Sequence, residues 1–69
     1  MGTKNNPGTF DCYDNAEPDE PMFVLLARDP QAPRLVRSWA DVRAMAVAKV
    51  AEARACADAM DAWRAENRP

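Results

Sequence analysis

Arg28, Arg34 and Arg37 crowd one short stretch of the chain, with the aromatic rings of Tyr13 and Trp39 on either side of them in sequence. A guanidinium grips phosphate or carboxylate with parallel N–H donors, and a ring offers a π face on which a base can stack. That combination suits a nucleotide or short oligonucleotide held at a subunit junction. The competing reading is architectural. In it Trp39 and Trp63 anchor a core while the arginines solvate its rim, and for Trp39 this is the preferred reading.

Other chemistry is thinly represented. The chain has no histidine, which removes Ser/His/Asp and Cys/His nucleophilic arrangements and the usual zinc ligand sets. Cys12 and Cys56 lie too far apart for a CxxC motif and are too few for a four-ligand site; their disulfide is an alternative only in an oxidising setting. Asp19 and Glu20 are adjacent carboxylates, but on a proline-punctuated connector nothing fixes them as an acid/base pair. Gly2 and Gly8 belong to no phosphate-binding loop. A non-enzymatic protein without cofactor or metal is expected.

The elements that must position these residues are dominated by one stretch. From Leu35 to Trp63, helical phase gathers Leu35, Trp39, Val42, Ala46, Val50, Ala53, Ala57 and Met60 on one stripe, widened by Met45, Cys56 and Trp63. Frequent alanine favours helix while supplying little volume to bury. Neither Gly nor Pro falls between Pro33 and Pro69, so no strong local signal stops the helix. Unbroken, it would run about 50 Å, against roughly 25 to 30 Å for a globule of this size. Either it folds back near Met45 to Lys49, or its stripe is covered by another copy. The missing breaker favours the second. Ser38 and Asp41 could form a capping box starting a helix at Trp39, but a bend there would remove only a turn or two.

Ahead of the helix, Met22 to Ala27 is an apolar run led by a proline, the strongest strand candidate. One strand cannot satisfy its own backbone, and only Phe10 to Tyr13 or a symmetry mate is available as partner. Asp29 is placed to cap the helix, with Pro30 and Pro33 confining its start to the interval between them. Residues 1–21 read as an extended acidic arm and linker, and 22–69 as a single domain of strand plus helix. The fold class expected is mainly α: a long C-terminal amphipathic helix, one short strand before it and the acidic arm, completed by homo-oligomerisation. Phe23, Leu25, Leu35, Trp39, Val42, Val50, Met60 and Trp63 are the expected interface.

Sixty-nine residues make one domain at most, and so small a chain expects outside help to bury its core. A net charge of −2 argues against general nucleic-acid binding. The charge is uneven: Asp11, Asp14, Glu17, Asp19 and Glu20 face only Lys4 before position 21, whereas arginine dominates from Arg28 onward. The acidic arm of one subunit could therefore lie on the helix of another. The plainer alternative is a solvated helix face with i,i+4 pairs such as Arg37 with Asp41 and Arg54 with Asp58. With no leader and no membrane-length apolar run, a cytoplasmic protein is expected.

The segments Asn6-Pro7-Gly8-Thr9-Phe10-Asp11-Cys12-Tyr13, Pro18 through Asp29, Ala32-Pro33, Leu35-Val36, Trp39-Ala40, Lys49 through Ala53, Cys56 through Met60, and Trp63 carry a resemblance. The chain is similar to a family of very short proteins from phages and prophages of proteobacteria. The resemblance implies no agreed activity and carries no catalytic residue across. Its relatives have a longer connection between the Trp39 region and the Lys49 segment, so the shorter one here favours an unbroken helix. Small expendable phage proteins often block host defences, and by that analogy the chain is expected to be an oligomeric anti-defence binder of a host immune effector or a nucleotide-type signal. The alternative is a structural or regulatory accessory, such as a virion assembly factor or a helical DNA-associated protein.

Overall fold

The computed structural model describes residues 1–43 and 47–68. Three helices follow one another: α1 (Cys12–Asn15), α2 (Ala32–Asp41) and α3 (Val47–Asn67). The last two pack against each other as an antiparallel hairpin, and the molecule measures 36 × 26 × 19 Å. Mainly helical content and a long C-terminal helix are thus as expected. The unbroken rod is not.

The entrance to α2 lies within the interval set by its prolines. Asp29 Oδ1 accepts from the Gln31 amide at 2.9 Å and its carbonyl accepts from Ala32, so Asp29 makes the turn before the helix while Gln31 occupies the cap position. Pro33 sits in the first turn, where a missing N–H is harmless. Ser38 is inside α2 and starts nothing, which removes the capping-box reading. At the far end the Val42 and Arg43 amides turn back to the Ala40 carbonyl, tightening the last turn.

Why the chain leaves the helix without a Gly or Pro is a matter of packing. The fully buried apolar residues are Ala32, Ala40, Ala53 and Ala57, accompanied by Pro33. Methyl-sized side chains let the two helix backbones approach closely, and tertiary packing of that kind outweighs a modest helix preference in the connecting residues. Folding back then allows polar bonds an isolated rod would lack. Arg37 Nη2 on α2 reaches Asp58 at 2.8 Å and Asp61 at 2.7 Å on α3, and Arg54 Nη2 on α3 reaches Asp41 at 2.8 Å. Both arginines pair across the hairpin, not with the i+4 partners expected along one helix. A step of four along α2, from Arg37 to Asp41, matches a step of four back along α3, from Asp58 to Arg54, as antiparallel helices in register require.

The break also resets the phase. On α3 the expected stripe holds: Ala53 and Ala57 are buried, and Val50, Cys56 and Met60 half-buried. On α2 it slips, because Val36 and Ala40 turn inward while Leu35 and Val42 are exposed, the latter at 78 %. Phase carried backward through an interrupted helix loses its meaning. Ala46 and Met45, also assigned to the stripe, lie outside the described residues.

The Met22 to Ala27 strand is likewise corrected. Among the described residues there is no strand; the segment is irregular, and the backbone of Met22, Phe23, Val24 and Leu25 makes no hydrogen bond there. Phe10 to Tyr13 is no partner, since Asp11 caps the single turn of α1 by accepting from the Tyr13 amide at 3.1 Å.

Candidate binding surface

The proposed ligand residues are dispersed into different roles. Arg37 is committed: its two carboxylate hydrogen bonds, from Asp58 first and Asp61 second, hold the guanidinium pKa above its ordinary value. Trp39 is half-buried, with the Arg43 guanidinium 4.6 Å and the Lys49 ammonium 5.8 Å from its ring centre. Lys49 comes from α3, so this cation–π contact also spans the hairpin, at roughly 0.5 to 1 kcal/mol for an exposed pair. Arg28 and Arg34 are exposed and carry no ion pair among the described residues. Tyr13 stands 76 % exposed on α1.

Among the expected interface residues, α3 contributes half-buried Val50 and Met60 to the hairpin's own seam, with Trp63 more exposed beside Arg68, whose guanidinium lies 5.9 Å from the indole centre. Leu35 and Val42 face solvent on or beside α2. Phe23 is 83 % exposed and Leu25 half-buried.

The ribbon carrying those last two residues has a definite course. Met22 lines a shallow hollow with Lys49 near the start of α3, and the Arg28 carbonyl accepts from Arg64 Nη1 at 2.6 Å near its end. The segment thus passes from near the start of α3 toward its far end, where it closes in a turn with the Asp29 amide donating to the Leu26 carbonyl at 3.0 Å. Arg64, half-buried on α3, serves as its clasp. Phe23, Val24 and Leu26 are exposed, whereas Leu25 and Ala27 are half-buried.

A second feature had no sequence signal. Glu52 of α3 accepts from the Thr9 amide on Oε1 and the Phe10 amide on Oε2, each at 2.9 Å, and the Met1 ammonium stands 3.6 Å away. Gly8 takes a left-handed φ of 82° to bring these consecutive N–H groups onto one carboxylate. The Thr9 bond chiefly, then the Phe10 bond, hold Glu52 below the usual glutamate range. The arm is thus fastened to an acidic side chain of its own helix through backbone donors, not by its acidic residues to a basic helix. Both cysteines are free thiols, Cys12 exposed and Cys56 half-buried. Among the described residues no cluster of metal-ligating side chains occurs, and no helix is long and apolar enough to cross a membrane.

No protein-family model, curated protein or solved structure matches the chain.

Proposed function

We propose that this chain is a non-enzymatic binding protein of the small phage type that acts as a homo-oligomer to blunt a host defence, by covering an immune effector or sequestering a nucleotide-type signal. The reading is carried by one observation: among the described residues no large side chain is fully buried, while Met22, Phe23, Val24 and Leu26 are all exposed on a single segment. A scattered exposed apolar residue is ordinary on a protein surface, but a contiguous run of them is the mark of an interaction surface. Exposed Arg28 and Arg34 beside that segment and at the start of α2 supply charge for an anionic ligand or an acidic partner surface.

Phage plating on hosts with and without a defence system tests the role. Deleting the gene should reduce titre on armed hosts alone; equal loss on both would replace this reading with the virion or regulatory accessory. Calorimetric titration with a nucleotide panel then separates signal capture from effector blockade. Heat that disappears in the Arg28→Ala, Arg34→Ala variant assigns the nucleotide, and no heat assigns the effector.

A further inference from the structure

We infer that the α-amino group of Met1 is a modification site that sets the state of the arm. Residues 1–20 stay fastened to α3 while that nitrogen is an unsubstituted ammonium, and an acyl group on it releases them.

The nitrogen sits in a built seat. It donates to the Pro7 carbonyl at 2.7 Å and to the Phe10 carbonyl at 2.5 Å, and Glu52 Oε2 stands 3.6 Å away. An ammonium carries three N–H donors, and three oxygens surround this one. Its charge also offsets the repulsion among them, since two carbonyl dipoles and a carboxylate converge on the same point. Chain ends are loose unless tied down, and this one is drawn tight around itself. Thr3 and Asn6 exchange backbone hydrogen bonds at 2.8 and 3.2 Å, and a Cβ on Gly2 would lie 2.3 Å from the Asn6 carbonyl oxygen.

What the seat controls follows from the contacts beyond it. Among the described residues, every polar contact from residues 1–20 to the helical hairpin ends on Glu52, made by the Thr9 amide, the Phe10 amide and the Met1 ammonium. Phe10 joins the two halves of this fastening, because its carbonyl accepts from the ammonium while its own amide donates to Glu52. Substituting the amine therefore strikes both halves. Acylation by a thioester donor forms an amide C–N bond, breaks the donor's C–S bond, and releases a thiol and a proton. The resulting amide nitrogen keeps one N–H and no charge, so at least two of the three oxygens lose their donor. With the fastening undone, Cys12, Asn15, Ala16 and Glu20 are free to leave the hollow they line with Lys49, and the five acids of the arm go with them.

The test uses the full-length chain in three forms: with a free α-amine, with an acetyl group on it, and with one glycine added ahead of Met1. Amide hydrogen exchange reports the arm and α3 separately. Thr9 and Phe10 should be protected in the free-amine chain and exchange at least about tenfold faster in the other two, with exchange in α3 unchanged. Glu52→Ala guards against a general loss of structure. In that variant both amides should already exchange freely, and acetylation should add nothing. Equal exchange in the three forms, or an acetylation effect that persists in Glu52→Ala, would overturn the assignment.

Discussion

Asp41, the last residue of α2, accepts a hydrogen bond from Arg54 of α3 at 2.8 Å, so the end of one helix is tied to the interior of the other. Both side chains are about half exposed or more, which limits the bond to roughly 0.2 to 1 kcal/mol. We predict a coupling of that size from a double-mutant cycle on Arg54→Ala and Asp41→Ala, shrinking as salt is raised. The Arg54→Ala, Asp58→Ala cycle should give a smaller coupling. Equal couplings would mean that arginine pairs along α3 and the hairpin is not closed this way.

The alanine seam makes a sharper forecast. Ala53 and Ala57 are fully buried between helices, and a leucine at either must push the backbones apart, costing about 1 to 3 kcal/mol. Ala55, two residues from each and exposed on the opposite face, should accept leucine within about 0.5 kcal/mol. Thermal melting of the three variants checks this. If Ala55→Leu destabilises as much as Ala57→Leu, α3 presents a different face to α2.

Acid should release the N-terminal arm before it melts the hairpin. Glu52 is held below its ordinary range by the Thr9 and Phe10 amides, so its stabilisation is complete above the unfolded-chain value and is lost as pH falls through the lower folded one. Amide resonances of Thr9 and Phe10 should shift together across that acid window. In Glu52→Gln the transition should vanish with helix content unchanged, and a transition that persists would assign it to another carboxylate.

Gly8 is the conformational counterpart of that fastening. An alanine there must adopt a left-handed φ, at about 1 kcal/mol, while its Cβ runs into the Met1 carbonyl and comes within 3.1 Å of Glu52 Oε1. We expect Gly8→Ala to speed amide exchange at Thr9 and Phe10 without altering exchange in α3. Unchanged rates would place the arm's hold elsewhere.

Much of this fold is legible in the residues themselves. Pro30 and Pro33 locate the start of α2, and the spacing of Val50, Ala53, Ala57 and Met60 correctly gives the inward face of α3. The turn between the helices is hidden because no residue type announces it. Its cause is the fit of Ala40 against α3 and the crossed arginine pairs, which exist only once the hairpin has closed. Glu52 is hidden for a different reason: its donors are main-chain amides, which every residue but proline carries. Leu35 and Val42 share the phase of the α3 stripe only along one continuous helix; with the chain turned back they face solvent.

A seam of methyl groups has a calorimetric consequence. Because little hydrocarbon leaves water when a single copy closes its hairpin, that step releases a small heat-capacity increment, and its free energy varies gently with temperature. Unfolding of a single copy is then a broad, shallow event with a low denaturant slope.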